Sequence, residues 1–597
     1  MIERTKRAGC FRVGCLTVLG AAVVAVVLLV LLFPAGGRLP DRFVLLLHVG
    51  GQLDERSPES VTLPFATSRS PLSLQDIVSI LDHARKDDRV RSVLLDIEGL
   101  SASPAKIGQL RRSVEEVRKA GKQVAAFLST PEDKDYLLAV ACDSVVVQKG
   151  SYLLLDGLKS ELFFYTGSLR KVGVGFQAAQ WKEYKSGIEP YTRTSASREA
   201  REQVARLLDD AFGDYAEYVT RRRGISRQAF SEVIDSLAVI TPVKALSLKL
   251  VDRISGRWQL EREFEKRLGA KRGKVFVSGR DYLRSGSRFF DRNSKDAVAV
   301  ITVAGPIVRT AGYSATGYDR GMDEQTLKHA VEAALEDRSV KAIVLRIDSP
   351  GGDALAAEAM LGMLDAARAK KPLVASMSGV AASGGYMVAL AANRILAEPL
   401  TVTGSIGVFA LKPDLSALLE KTGLRREVVA RGRFADAYTV YRPFDEESFG
   451  KFVDASGEIY RRFTAEVASR RHLTPAQVDS VAGGRVWTGR RALSLKLVDQ
   501  FGGLQEAVKT ARQLAGMDTT KAPLIRFLPE EKSWIDYLMA GEFGAAVRQE
   551  GYRIAADVLA ERLPAAGVQD DLSAIRMLMD LREPQILALE PLGIVIR

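Results

Sequence analysis

The sequence predicts an α/β protein: two tandem duplicated domains with parallel sheets, plus one N-terminal transmembrane helix. Three observations predict it. Residues Val13 to Phe33 form an almost unbroken apolar run of 21, about the length that spans a bilayer as a helix. Short β-branched and leucine-rich runs then alternate with amphipathic helical ones, the pattern of parallel strands joined by helical crossovers. Finally, the two halves match at a constant offset. Adding 250 pairs Val90 with Val340, Leu95 with Leu345, Ile97 with Ile347, Val124 with Val374, Tyr136 with Tyr386, Gly157 with Gly407 and Gly173 with Gly423. At an offset of 247, Ala245-Leu-Ser-Leu-Lys-Leu-Val-Asp252 recurs letter for letter as Ala492 to Asp499. A constant offset over such a span marks an internal duplication.

In chain order, Arg4, Lys6, Arg7 and Arg12 precede the apolar run, while Arg38 and Arg42 follow it. The positive-inside rule puts residues 1–12 in the cytoplasm, residues 13–33 across the inner (plasma) membrane and the bulk outside the cytoplasm. The alternative is a cleaved signal peptide. Against it, the apolar stretch exceeds the usual 7–15 residues and no small-x-small cleavage site follows. The first repeat occupies 41–280, with buried strands at Val44 to His48, Val93 to Ile97 and Val124 to Leu128 and a crossover helix from Ile107 to Ala120. A polar stretch rich in Gly and Arg from Gly279 to Asp296 reads as a linker, assigned to 281–296. Ala297 to Val303 then opens the second repeat, 297–520. Beyond it, residues 521–597, with Trp534 to Met539 and a helical pattern through Leu563, read as an amphipathic extension that packs on the domain or an adjacent subunit, with the membrane surface as the alternative.

At 597 residues, 47% hydrophobic and 26% charged, the chain is an ordinary globular one with room for several domains. The net charge of +12 is spread along the chain without a nucleic-acid motif, so it points to an anionic membrane surface and not to nucleic acid. The three cysteines, Cys10, Cys15 and Cys142, make neither a disulfide framework nor a zinc site. No metal or organic cofactor is implied.

Chemistry concentrates in Ser376-Met-Ser-Gly-Val-Ala-Ala-Ser-Gly-Gly-Tyr-Met387. It reads as a buried strand that turns abruptly, through Gly384-Gly385, into a helix beginning near Tyr386. A serine at such a turn projects from the sheet edge towards free helical N–H groups, which makes Ser383 the candidate nucleophile. Ser376 and Ser378, inside the strand, read as packing residues. Asp348-Ser-Pro-Gly-Gly352 follows another buried strand and opens a helix from Ala354 to Arg368. Taken alone it is a β-to-α turn; one strand away from Ser383, it is a source of backbone donors, with the Gly352 and Gly384 N–H groups converging on one carbonyl oxygen. Thr403-Gly-Ser-Ile-Gly407 reads by itself as a tight turn. The four histidines, His48, His83, His329 and His472, all lie outside the Ser383 stretch. A distant one remains open as a triad member, but a lysine is the first base to test. The duplication adds that Ser383 pairs with Asp133 and Gly384-Gly385 with Lys134-Asp135, so the first repeat lacks the turn. Lys185, in Trp181-Lys-Glu-Tyr-Lys-Ser-Gly-Ile-Glu-Pro190, pairs with Ala435.

These motifs together, with the tandem repeat and the N-terminal anchor, resemble the long form of signal peptide peptidase A over about residues 10 to 515. The resemblance implies a serine peptidase on a fold similar to Clp protease and crotonase. It implies that Ser383 attacks the scissile carbonyl, Lys185 is the general base, Ser405 helps hold the lysine amine, and Gly352 and Gly384 supply the oxyanion hole. It also implies a homotetramer shaped as a bowl over the membrane and hydrophobic peptide substrates, spent signal peptides among them. Two other classes compete: a crotonase-type acyl-CoA enzyme, whose fold also uses paired N–H donors, and a non-catalytic membrane-anchored scaffold. Placement outside the cytoplasm, away from CoA, and the Ser/Lys pair argue against the former.

Overall fold

The computed structural model describes residues 39–56, 71–269, 275–285, 295–309, 321–520, 523–529 and 585–589. The expected anchor at 13–33 and the helical pattern from Trp534 to Leu563 lie outside the described residues. Among the described residues, no helix is long and apolar enough to cross a membrane.

Each repeat is built on a largely parallel sheet. In the first, Val90–Ser101 lies between Phe43–Gln52 and Gln123–Leu128, and all five strand pairings are parallel. In the second, Val340–Ser349 lies between Ala297–Ala304 and Leu373–Ala382 in the same way. The strands are apolar at nearly every position because both faces are covered. Along Ala297–Ala304, Ala299, Ile301 and Val303 enter one core, while Val298 and Val300 enter another under Leu504, Val508 and Ala511.

The duplication extends to individual hydrogen bonds. Tyr136 Oη donates to the Leu250 carbonyl at 2.8 Å, and Tyr386 Oη to the Leu497 carbonyl at 2.9 Å. Asp252 Oδ2 accepts the Val145 N–H at 2.7 Å and the Arg223 fork; Asp499 Oδ2 accepts the Ile395 N–H at 2.7 Å and is paired with Arg471. Both arginines end 26-residue helices, Arg198–Arg223 and Glu446–Arg471.

Two boundaries differ from expectation. The stretch assigned to the linker starts with a helix, Gly279–Ser285, held by Tyr282, which is fully buried and donates to Asp87. At the other end, Leu524–Leu528 adds a parallel strand beside Ala297–Ala304, so the second sheet runs past residue 520. In both places a few apolar residues in a polar stretch suffice to dock the chain.

A third sheet joins the repeats. Its order is Met322–Asp323, Ile307–Val308, Gly351–Asp353, Gln585–Leu589, Phe409–Asp414 and Gly175–Gln180. The last pairing is antiparallel and joins a first-repeat strand to a second-repeat strand, with Gln180 opposite Phe409 and Gly175 opposite Asp414. It carries the segment after Gln180 across to the second repeat.

Candidate active site

Strand Leu373–Ala382 ends at Ser383, and helix Gly384–Ala389 begins at the next residue. The reversal is made in one residue: Ser383 has φ 55° and ψ −113°, a conformation few non-glycine residues adopt and one that is kept at functional sites. Its N–H donates to the Gly404 carbonyl at 2.8 Å and its carbonyl accepts the Met387 N–H at 2.8 Å. The two glycines that follow are needed for close approach. A Cβ at Gly385 would lie 2.6 Å from the Ser349 carbonyl oxygen, and one at Gly384 would lie 3.3 Å from both Gly351 Cα and the Gly352 nitrogen. The helix therefore starts two residues earlier than expected, because the glycines are part of it.

The second glycine pair sits against the first. Gly352 lies in the short strand Gly351–Asp353, where a Cβ would meet the Ile307 carbonyl oxygen at 1.9 Å. Asp353 then caps the helix Ala354–Arg368, its Oδ1 accepting the Ala356 N–H at 2.9 Å. The expected bounds of that helix are the observed ones.

Lys185 arrives from the first repeat. It is completely buried, as are Ser383 and Ser405. Its Nζ lies 2.6 Å from Ser383 Oγ and 2.9 Å from both the Oγ and the carbonyl oxygen of Ser405. Glycines make room for it: a Cβ at Gly484 would lie 2.4 Å from the Lys185 nitrogen, and one at Gly407 would lie 3.2 Å from Lys185 Cδ. The apolar neighbours in sequence act one step back. Trp181 stacks on Tyr460 and donates to Ser456 Oγ at 2.8 Å, and Ile188 packs with Tyr191, Phe409 and Leu411. Ser405 stands in a left-handed turn with φ 49°, its N–H donating to the Arg485 carbonyl at 2.7 Å. The Thr403 to Gly407 stretch, expected as a tight turn, instead begins as the end of a strand, Val402–Gly404, and Ser405 just after it holds the amine.

Chemically, a neutral amine has two N–H groups and one lone pair. The Ser405 carbonyl and Oγ can take the two N–H groups, which leaves the lone pair for the Ser383 hydroxyl proton. Burial disfavours a charged ammonium, the direction a base needs.

The sequence reading missed the group behind the nucleophile strand. Arg346, fully buried, pairs through Nε with Glu55 Oε1 at 2.5 Å and donates to Ser376 Oγ at 2.8 Å, Gln109 Oε1 at 2.8 Å and Ser378 Oγ at 2.9 Å. Ser378 Oγ also donates to Glu55. Ser376 and Ser378 are therefore not simple packing residues. Two apart on one strand, they share a face, and that face meets the first repeat. Beside them Lys106 Nζ pairs with Asp348 Oδ2 at 2.7 Å, and Asp348 Oδ1 accepts the Val380 N–H at 3.1 Å. Burial disfavours both charges, but each outweighs it for the other: Asp348, helped by Glu55, holds Lys106 up, and Lys106 holds Asp348 down. A lone arginine inside the apolar strand Ala342 to Ile347 was the available signal.

The first repeat shows what replaces the turn. The Asp135 carboxylate accepts the N–H groups of Leu100 at 2.8 Å, Glu132 at 3.1 Å and Gly99 at 3.2 Å. Asp133, at the position matching Ser383, accepts those of Asp156 at 3.1 Å and Gly157 at 3.2 Å, yet burial pushes its carboxyl up to about 7. A raised carboxyl means that the folded state binds more protons than the unfolded one between about pH 4 and 7, so stability falls as pH rises through that window. Asp133→Asn is expected to match the wild type near pH 4 and to melt higher above pH 7, by an upper bound of about 4 kcal/mol. Melting curves from pH 4 to 8 check this; parallel curves would refute it.

Comparison with known proteins places these features. Peptidase family S49 matches residues 116–271 and 365–518, once in each repeat. The chain is 32% identical over 477 residues to "Serine protease SPPA, chloroplastic" of Arabidopsis thaliana, covering 79% of this chain and 70% of that one. It is 31% identical over 486 residues to "Protease 4" of Salmonella typhi, covering 79% and 76%. To "Protease 4" of Haemophilus influenzae it is 27% identical over 540 residues, covering 85% and 86%.

Proposed function

Because this chain belongs to peptidase family S49 and is a serine peptidase, we propose that it is a membrane-anchored endopeptidase that cuts hydrophobic peptides, such as cleaved signal peptides, with a Ser383/Lys185 dyad. One observation carries the reading: two fully buried side chains, 198 residues apart, meet at 2.6 Å. Neutral Lys185 takes the Ser383 proton as Oγ attacks the scissile carbonyl. The Gly352 and Gly384 N–H groups receive the oxyanion, and the lysine ammonium returns its proton to the leaving amine. Water then opens the acyl-enzyme with Lys185 again as base, while Ser405 keeps the amine aimed.

A fluorophosphonate probe tests the nucleophile. Labelling confined to Ser383, blocked by prior incubation with an apolar peptide that the enzyme hydrolyses, is expected; an unlabelled Ser383 in folded protein sinks the dyad and reopens the acyl-CoA and scaffold readings.

The anchor proposal rests on the Val13 to Phe33 run and its flanking charges. The proposed homotetramer draws support from the duplication. The pairing of Gly175–Gln180 with Phe409–Asp414 maps, through the offset of 250, onto residues 425–430 and 159–164, of which only Ser160 takes part in β pairing, as an isolated bridge. A second copy can meet them as one repeat meets the other. Light scattering of detergent-solubilised protein reads the outcome, and a monomer would exclude it.

A further inference from the structure

The chain on both sides of Lys185 is tied to the first turns of the helix Arg198–Arg223. Before the lysine, the Tyr184 carbonyl accepts an N–H of Gln203 Nε2 at 3.0 Å. After it, the Glu189 carboxylate accepts the Ser197 N–H at 2.9 Å and the Ser197 hydroxyl at 2.5 Å, and Ser197 caps that helix. Gln203 is buried and reaches further, because its Oε1 also accepts the Val486 N–H at 2.9 Å. Backbone groups thus use both ends of the amide, and turning it over would lose both bonds. Val486 follows the loop Gly483-Gly484-Arg485, which meets the lysine and its amine holder at once. Gly484 lies against the Lys185 backbone, where a Cβ would come within 2.5 Å of Lys185 Cα. The Gly483 carbonyl accepts the Tyr184 N–H at 3.2 Å, and the Arg485 guanidinium lies over the Tyr184 ring at 4.2 Å. From its other side the loop accepts the Ser405 N–H through the Arg485 carbonyl at 2.7 Å and donates from Gly484 to the Ile406 carbonyl at 2.9 Å.

We infer that Gln203 is a positioning residue for the general base: its amide clamps the peptide that carries Lys185 to the loop that holds Ser405, and so sets where the amine stands against Ser383 Oγ. The inference rests on the reading of Lys185 as the base. The duplication supports it independently. Aligned start to start, the two 26-residue helices place exposed Lys451 where Gln203 stands. At the offset of 247, Ser236-Leu237 stand where Gly483-Gly484 do. The copies that would serve Ala435, the counterpart of Lys185, have therefore lost the amide bridge and the glycine loop together. Asp210, two turns beyond Gln203 on the same helix, supplies a contrast. It accepts Thr488 Oγ1 at 2.7 Å and pairs with Arg491 at 2.8 Å, at the far end of the strand Val486–Thr488. Both residues join the repeats, but only Gln203 bonds to the residue next to the lysine.

Steady-state kinetics on an apolar peptide, with melting curves beside them, test the inference in the full chain. Gln203→Met keeps the length of the side chain and removes the amide; kcat should fall by about tenfold to a hundredfold, the cost of a misplaced reacting group, while KM changes by less than about twofold. Gln203→Asn, one methylene short, leaves a polar amide in the pocket and guards against a methionine variant that misfolds; it should show the same split of kcat from KM. Asp210→Asn should melt lower and keep its kcat. In parallel, the rate of Ser383 labelling by a fluorophosphonate is followed over hours in wild type, Gln203→Met, Lys185→Met and the double variant. Gln203→Met should slow labelling in the wild-type background and have no further effect once Lys185 is gone, as expected of a residue that acts through it. Wild-type kcat in folded Gln203 variants, an equal loss of kcat in Asp210→Asn, or a further slowing of labelling in the double variant overturns the positioning role. Labelling of Lys185→Met at the wild-type rate instead rejects the base reading on which the role depends.

Discussion

Lys185→Met is expected to lower kcat/KM for an apolar peptide by a factor of about 10³ or more while leaving the protein folded. General-base assistance accounts for roughly 10²–10⁴ in rate, and here the same amine must also protonate the leaving group. Methionine keeps the aliphatic volume against Gly407 and Gly484 and places no charge in a site with no solvent exposure, so stability should hold. Because nucleophile and base act as one unit, the Ser383→Ala/Lys185→Met pair should be about as inactive as either single variant. Ser405→Ala removes only one of two oxygens that hold the amine, at 2.9 Å each, and should cost much less. Steady-state kinetics beside melting curves decide it. A folded Lys185→Met protein that keeps more than a tenth of wild-type kcat/KM rules out the dyad.

The parts of this site that were legible in the sequence are those with local causes. Ser383 and its glycines announce a one-residue turn because only small residues allow Gly384 to lie against Gly352 and Gly385 against Ser349. Lys185 was found through the resemblance and then sharpened by the duplication, since Ala435 stands in its place in the other repeat. What local pattern could not give was distance. Trp181, Tyr184 and Ile188 are its apolar neighbours in sequence, but the lysine is enclosed by Gly407 and Gly484, more than two hundred residues away. The pairing of Gly175–Gln180 with Phe409–Asp414 was invisible because neither segment has a strong strand pattern; the first is a strand by virtue of the second, which also pairs with Gln585–Leu589. Likewise the linker was drawn across Tyr282, whose ring fills a pocket against Phe43 that only the folded first repeat creates.

Arg346 gives the second large effect, on stability. Glu55→Ala is expected to destabilise the protein by about 3–5 kcal/mol, the usual result of leaving one partner of a buried ion pair uncompensated. The guanidinium is fully buried, and its other partners at 2.8–2.9 Å, Ser376, Ser378 and Gln109, are neutral. Asp348 also attracts the guanidinium but is held at 2.7 Å by Lys106, so it compensates only in part. Glu55→Gln keeps a hydrogen-bond acceptor without the charge and should fall between. Replacing both partners, as Glu55→Leu/Arg346→Met, removes the desolvation cost with the attraction and should recover most of the loss. The recovery need not extend to catalysis. Glu55 belongs to the repeat that delivers Lys185, while Ser376 and Ser378 lie on the strand that ends in Ser383, so the pair fixes the two halves of the dyad relative to each other. A displacement of 1 Å at the reacting atoms can cost about 10² in rate. The double variant is therefore expected to regain its melting temperature but not its kcat. Thermal melts and kinetics on the three variants separate the two roles: wild-type stability in Glu55→Ala excludes the buried-charge account, and full recovery of kcat in the double variant excludes the positioning one.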